Sequence, residues 1–469
     1  MSINIKIDDT NFEVEDNSLL IDILLKNDIK IPHFCYHEAL GADGNCRMCM
    51  VEIAGQKRPQ IACDTFAKEG MEVFTKTASI HAVRQDILEL ELINHPIDCP
   101  TCDQAGECKL QDYYMDYGFY ESAINSSDKI KHEKHKDLGS NVILDQERCV
   151  LCARCTRFTT DITKTHELGI IGRGDEARVT TMPNKKLDNP YAMNIVDLCP
   201  VGALTSKDFR FSQRSWLLTS SPSVCHGCDK GCNIYIDHNK LKYQDAKIYR
   251  FKPRYNKNIN GHFICDEGRL SYKELEENRQ YNLLSDNKVI SKNIAIETLN
   301  SKINSYKNNI TILVDANLYN EELEAIKSYA LSIGAKIFSP LSSYMDNAFG
   351  DDWLKSSMRA SNAKGIKSLS INTEITEDYT TTGLLINFNH PNPDLLSYLE
   401  LVEFKTHINN EKDKEENLNL IFPLAVSSES EGTLINKNNI TQYCKKVINK
   451  NSPTPTALEW ILDITGDIK

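Results

Sequence analysis

The sequence predicts an α+β chain of several domains, and three observations lead there. A hairpin-and-helix pattern opens the chain, cysteines crowd into its first 265 residues, and strand–helix–strand patterning fills its end. Its 469 residues correspond to roughly two to four domains at ~100–200 residues each. At the start, Ile3, Ile5 and Ile7 alternate with polar residues. A turn at Asp8-Asp9-Thr10-Asn11 follows, and the alternation resumes at Phe12 and Val14, the period-2 signature of a hairpin. Asp16-Asn17-Ser18 then offers helix caps to an apolar run from Leu19 to Leu25, giving a helix to about Asn27. Hairpin, helix and cysteine-bearing loop together have the layout of a β-grasp ferredoxin.

Thr77 to Asn94 reads as a second helix, with Ile80, Val83, Ile87, Leu90 and Ile93 near helical spacing. Pro96 ends it and leaves His95 at its C-terminal end. Asn125 to Gly139, rich in Lys, His, Asp and Ser, reads as a solvated linker. Beyond about residue 275 the texture changes. Ile310–Val314 reads as a buried strand, about Asn320–Ile333 as a helix capped by Gly334, and Ala335–Phe338 as another strand, which together make a βαβ unit. Leu384–Ile386 and Leu420–Phe422 add strands, and the charged run Asn410–Asn417 reads as a surface loop. The expected segments are 1–78, 79–120, 140–215, 218–274 and 275–469.

Composition narrows the function. Hydrophobic residues are 41% and charged residues 26%, and the net charge is −12. A surplus of acid opposes nucleic acid and polybasic membrane contacts, which need positive potential. No apolar run approaches the ~18–20 residues of a membrane helix, and Met1-Ser2-Ile3-Asn4-Ile5 has no basic region leading into an apolar stretch. An intracellular chain without direct membrane insertion is expected. Of its 16 cysteines, 15 fall at or before Cys265. A reducing compartment does not use cysteine this densely for disulfides, so metal or redox chemistry is the better reading.

Four ligand sets account for the pattern. Cys35-x10-Cys46-x2-Cys49-x13-Cys63 follows the β-grasp helix. The C-x2-C pair and distant fourth cysteine fit a [2Fe–2S] site with a lengthened first gap. Gly41, Ala42 and Gly44 keep that loop small, so that backbone N–H groups approach sulfur. His95-x3-Cys99-x2-Cys102-x5-Cys108 offers one imidazole and three thiolates. Imidazole is a competent iron ligand and removes negative charge, which raises the potential; a helix-capping His is the plainer reading of the spacing alone. Cys149-x2-Cys152-x2-Cys155 with Cys199-Pro200 has the C-x2-C-x2-C wrap of a [4Fe–4S] cubane and a fourth cysteine followed by Pro. Cys225-x2-Cys228-x3-Cys232-x32-Cys265 is a second cubane-type set. Structural zinc is the alternative for the all-cysteine sets. Fifteen cysteines and His95 make four sets of four, and only Cys444 is left over. It sits in an expected helix beside Tyr443 as a small buried hydrophobe.

Gly172-Arg173-Gly174-Asp175-Glu176-Ala177 has the letters of a dinucleotide fingerprint, yet its flanks, Leu168–Ile171 and Ala177–Thr181, read as a hairpin and not a strand entering a helix. No Walker A loop, HExxH or nucleophile elbow occurs. Flavin, NADH and quinone sites are not expected, so electrons enter and leave through partner proteins.

The ordered motifs, with Pro100-Thr101-Cys102-Asp103-Gln104-Ala105-Gly106-Glu107-Cys108, resemble the large iron–sulfur subunit family of bacterial NADH:quinone oxidoreductase, respiratory complex I, over residues 1 to about 270. The resemblance implies one [2Fe–2S] and three [4Fe–4S] clusters and no catalytic residue of the chain's own. Electrons would pass from the flavin/NADH module to the Cys35 set, then the Cys149 set, then the His95 set, and on to the quinone-module iron–sulfur subunits; the Cys225 set would stand off the main path. It implies an oxidoreductase subunit held peripherally by partners on the cytoplasmic side of the inner membrane. The fourth set also opens molybdopterin oxidoreductases, and Glu431-Gly432-Thr433-Leu434-Ile435-Asn436 resembles a remnant of that domain. Residues 275–469 are expected to be a reduced α/β scaffold without molybdopterin, FMN or NAD. The competing readings are an electron-transfer subunit of a formate dehydrogenase or hydrogenase, and a zinc-stapled scaffold.

Overall fold

The computed structural model describes the chain except residues 1, 123, 241, 243–246, 375–382, 392–401, 413–417, 450–453 and 467–469. The chain forms two compact units, Met1–Leu217 and Leu218–Lys469.

The first unit opens with the expected hairpin: Ser2–Ile7 pairs antiparallel with Thr10–Glu15, Ile3 opposite Val14 and Ile5 opposite Phe12. Ser2–Ile7 also pairs parallel with Glu72–Phe74, which pairs antiparallel with Met50–Ile53, and Gln60–Ile61 closes a five-stranded mixed sheet. Helix Leu20–Lys26 covers one face, burying Leu20, Ile21 and Leu24 against Ile5, Val51 and Val73. Cys49 and Cys63 belong to this same core, so the sheet fixes the metal loop directly. The expected cap differs. Leu19 is the N-cap and makes no side-chain cap bond. Asn17 instead takes a left-handed turn with φ 60°, and backbone bonds from Leu20 N to Thr65 O (2.8 Å) and Ala67 N to Ser18 O (2.9 Å) fix the helix start.

The second helix runs Ala78–Leu92, capped by the Thr77 hydroxyl, which accepts from Ile80 N. Its buried face is Ile80, Arg84 and Leu88, while Leu90 of the expected apolar stripe is 69% exposed. Arg84 explains the rotation: its guanidinium donates to Thr75 O, Met50 O and the Tyr117 hydroxyl, tying the helix to the sheet and to helix Lys109–Tyr117. The stretch Asn125–Gly139 is more than a linker. Lys129 is buried and donates to Leu92 O (2.8 Å) and His95 O (2.9 Å), capping the helix's free carbonyls, and Lys136–Asp137 pairs with Val142–Leu144. Short helices Arg154–Arg157 and Asn194–Leu198 and hairpin Leu168–Ile171/Arg178–Thr181 complete the unit. The glycine-rich sextet is therefore the turn of a hairpin, as its flanks indicate.

The second unit begins with a three-stranded antiparallel sheet, Leu218–Val224, Asn233–Asn239 and Ile248–Pro253. A seven-stranded sheet follows in sequence. Its five strands Leu420–Pro423, Phe404–Asn409, Leu384–Phe388, Ile310–Val314 and Lys336–Phe338 are mutually parallel, and Ile310–Val314, Leu384–Phe388 and Leu420–Pro423, buried at every residue, are mostly apolar because both faces are covered. Helices Lys292–Ser305, Asn320–Ser332 and Ala457–Thr465 pack on it through Leu299, Leu323 and Trp460, whose indole donates to Pro423 O at 2.7 Å. Of the charged run at 410–417, residues 413–417 lie outside the described residues. Cys444 is fully buried as expected, but in strand Thr441–Cys444, paired with Gly432–Ile435, and not in a helix. Thr441 and Tyr443 are exposed while Gln442 and Cys444 are buried, a period-2 pattern that only pairing with the Gly432 strand could reveal.

A buried ion pair anchors this unit: Arg279 meets Glu429 at 2.8 Å, both nearly without solvent exposure, and Glu429 also accepts from Val426 N and the Thr454 hydroxyl. Glu429→Ala should cost about 3–5 kcal/mol by leaving the guanidinium unpaired, read as a lower midpoint in equilibrium urea unfolding of the full chain.

Candidate functional site

Each set of expected donors is carried by loops that a neighbouring element pins. Cys35, Cys46, Cys49 and Cys63 are all buried. Phe34 N and Cys35 N donate to the Cys46 sulfur at 3.4 and 3.5 Å, and the Cys35 thiol meets those of Cys46 and Cys63, while Cys49 meets Cys63. Gly41 and Gly44 take φ of 70° and 74°, open to glycine without strain, and Gly44 N–H reaches Cys35. Hydrogen bonds from the neighbouring thiols push Cys35 far below the ordinary thiol range, and the same bonds push Cys63 above it. Four sulfurs thus form one connected group.

His95, Cys99, Cys102 and Cys108 line one cavity of about 380 Å³, walled by Leu88, Leu92 and Tyr114. His95 follows the end of helix Ala78–Leu92, where Lys129 holds its carbonyl. Cys108 is the N-cap of helix Lys109–Tyr117, and Lys109 N is anchored on Pro200 O at 2.9 Å. Burial pushes the His95 imidazole down to about 4, so it is a neutral donor at physiological pH. Burial pushes the Cys108 thiol up to about 11. Cys99 is the exposed member of the set.

Cys149, Cys152, Cys155 and Cys199 line a small closed cavity with Leu144, Val150, Val179 and Val201. Leu151 and Ala153 adopt φ of 47° and 60°, the left-handed region, which bends the C-x2-C-x2-C loop around its centre and lets Leu151 N donate to the Cys149 sulfur at 3.4 Å. Backbone N–H groups of Val201, Ala203 and Leu204 face Cys199. Burial raises Cys152 to about 12. Such thiols shed their protons only when a cation compensates the thiolate, which couples metal uptake to proton release.

In the second unit Cys225, Cys228, Cys232 and Cys265 line a cavity of about 30 Å³. Gly227 N donates to the Cys225 sulfur (3.4 Å) and Gly268 N to the Cys265 sulfur (3.3 Å). Burial raises Cys265 to about 11. Arg359 closes the rim, donating to Gly227 O and to Glu267 at 2.8 Å.

The donor chemistry fits iron–sulfur clusters. Sulfur donors ring cavities, backbone N–H groups point at sulfur, and two glycines keep those cavities open. A Cβ at Gly202 would lie 2.2 Å from the Cys102 sulfur, and one at Gly268 would lie 3.0 and 3.1 Å from the sulfurs of Cys225 and Cys265. Among the described residues no three His, Cys, Asp or Glu side chains close on a single-ion site. Several positioning residues escaped the sequence reading: Lys129 behind His95, Arg148 bound to Asp98 (2.6 Å) beside Cys102, and Arg154 and Arg157 among the cysteines. Arg148, Arg154 and Arg157 carry one sequence signal, adjacency to Cys149 and Cys155, and Lys129 carries none.

Residues 1–78 match the 2Fe-2S iron-sulfur cluster binding domain family. Residues 84–123 match the NADH-ubiquinone oxidoreductase-G iron-sulfur binding region, and 139–205 the ferredoxin-like domain of NADH-quinone oxidoreductase subunit 3. This part of the chain is therefore an array of iron–sulfur domains. Over that span it is similar to subunits of NADH-quinone oxidoreductase. It is 37% identical over 280 residues to the NADH-ubiquinone oxidoreductase 75 kDa subunit of Reclinomonas americana, covering 60% of this chain and 40% of that one. It is 33% identical over 342 residues to an NADH-quinone oxidoreductase subunit of Rickettsia conorii, covering 72% and 50%. A chain from the crystal structure of an NAD+-reducing [NiFe]-hydrogenase in the H2-reduced state aligns at 28% identity and TM-score 0.41, over 45% of this chain and 91% of that one. The chain spans about half the length, or less, of these curated relatives. No described helix is long and apolar enough to cross a membrane.

Gly202→Ala should cost the His95/Cys102 site its metal, because the added methyl collides with a donor sulfur held by packed backbone. Iron per chain should fall by about four, with the far-ultraviolet circular dichroism spectrum unchanged.

Proposed function

We propose that this chain is the electron-carrying iron–sulfur subunit of an NADH-quinone oxidoreductase, placed between a flavin/NADH module and quinone-module iron–sulfur subunits and held at the cytoplasmic face of the inner membrane by those partners. Cys35, Cys46, Cys49 and Cys63 hold a [2Fe–2S] cluster. His95, Cys99, Cys102 and Cys108; Cys149, Cys152, Cys155 and Cys199; and Cys225, Cys228, Cys232 and Cys265 each hold a [4Fe–4S] cluster. The working segments are 1–78, 79–120, 140–215, 218–274 and 275–469. When bound, such clusters accept and release single electrons. The observation that carries this reading is the gathering of each donor set around one centre, with three of the four sets inside one compact unit.

The chain's residues do the rest. Leu144, Val150, Val179 and Val201 keep water from the Cys149 set, which strengthens every charge interaction inside it. Backbone N–H donors stabilise sulfur's negative charge at the Cys46, Cys149, Cys225 and Cys265 positions. His95, neutral, leaves its set with one negative charge fewer than an all-cysteine set, which favours the reduced form. In this reading the chain's contribution is electron transfer, and activity as an enzyme belongs to the assembled oxidoreductase.

Anaerobically prepared chain should contain about 14 iron atoms, matching acid-labile sulfide, and a brown colour that bleaches on reduction. Colourless protein with about four zinc atoms would establish the scaffold reading instead. His95→Cys should retain its cluster at a lower midpoint potential, because thiolate adds negative charge. His95→Ala should abolish or alter that cluster's EPR signal; an unchanged signal would remove His95 from the ligand set.

A further inference from the structure

Arg154 lies between two of the metal sites. It is 4% exposed. One guanidinium nitrogen donates to Leu198 O at 3.0 Å, the carbonyl next to Cys199, and the other donates to Tyr36 O, the carbonyl next to Cys35. A single side chain thus grips the backbone beside a ligand of the binuclear set and beside a ligand of the cubane set. One turn on, Arg157 extends the grip to Leu40 O, Gly41 O and Cys35 O, and Asn45 bonds Leu151 O at 3.0 Å.

The charge on Arg154 is also unusual. Its hydrogen-bond partners are carbonyls, its Nε finds no acceptor among the described residues, and the ligand-set sulfurs of Cys152, Cys199 and Cys35 are among the groups that act on its charge. Arg148, beside the neighbouring site, is different: Asp98 and Asp145 neutralise it. A buried cation without a counter-ion is costly unless negative charge faces it, and the negative charge available to Arg154 is the sulfur of two ligand sets.

We propose that Arg154 is a positioning residue shared by the Cys35 and Cys149 sites, whose guanidinium charge favours the reduced form at both while fixing their separation. This rests on the iron–sulfur reading above. Each electron added to either site adds one negative charge, and an unscreened cation in a low-dielectric interior stabilises that charge by an amount that falls slowly with distance. Because the same charge faces both sites, it raises both potentials together and leaves their difference nearly constant.

The test is an EPR-monitored redox titration of the full chain carrying R154Q or R154K, with iron content measured on the same samples. In R154Q the reduced-to-oxidised ratio at fixed ambient potential should fall about tenfold at both sites, a shift of 59 mV for a one-electron couple. R154K, which keeps the charge but cannot span both carbonyls, should hold both potentials near the parent value. Unchanged potentials in R154Q at full iron content, or a shift at one site only, would overturn the proposal while leaving the iron–sulfur reading intact. Absence of iron from the parent protein would overturn that reading instead. If R154Q fails to load iron, R154K decides: potentials kept support the role of charge, and a tenfold fall at both sites rules it out.

Discussion

A thiolate taken out of water loses several kcal/mol of solvation unless a cation or hydrogen-bond donors replace the water. Thirteen of the fifteen cysteines in the four sets are buried, and burial pushes up the thiols of the three cubane-type sets wherever a shift is resolved. The rest of the architecture answers that constraint. Short loops aim backbone N–H groups at sulfur, left-handed residues such as Leu151 and Ala153 bend the chain tightly enough for them to arrive, and glycines stand where a methyl would press on a cysteine sulfur. These devices are cheap in sequence: each uses one or two residues and no additional element.

Cations supply the remainder. Lys129 holds the carbonyl of His95, Arg148 is paired with Asp98 beside Cys102, and Arg154 faces two sites without a carboxylate of its own. Their side chains come from one module and end beside ligands of another, so the spacing between sites depends on packing within the unit and not on the length of any linker. The β-grasp core works to the same end, because Cys49 and Cys63 are members of the hydrophobic cluster that folds it.

The second unit separates support from chemistry differently. Its parallel sheet changes direction between Ile310–Val314 and Leu384–Phe388, the place where open α/β sheets commonly bind ligands. Here buried Asp315, just past the end of Ile310–Val314, accepts from Tyr344 at 2.8 Å and from Asn389 at 2.9 Å. Val447 and Ile448, near the chain's end, join Cys225, Ile234 and Phe251 in one apolar cluster, and Asn233 donates to Gln442. The fourth donor set and the α/β sheet therefore fold as one body.

Local structure is legible along the chain wherever the spacing within an element carries the pattern. The Ile3/Ile5/Ile7 alternation, the C-x2-C pairs, the strand–helix–strand at 310–338 and the hairpin around Gly172 all depend on spacing alone. Long-range pairing defeated the same reading elsewhere. Cys444 joined a strand whose partner begins at Gly432 and whose cover, Val224 and Tyr319, comes from far earlier in the chain. Leu90 turned outward because Arg84 found acceptors on a distant strand. Lys129 left solvent because two helix-end carbonyls more than thirty residues away needed a donor. Periodicity records which side of an element is apolar and spacing groups the cysteines, so residue order alone carries most elements and the candidate donor sets. Only the tertiary structure decided which buried charges lie between the sites, because a guanidinium's partners are set by packing and carbonyl direction, and neither leaves a trace in residue order.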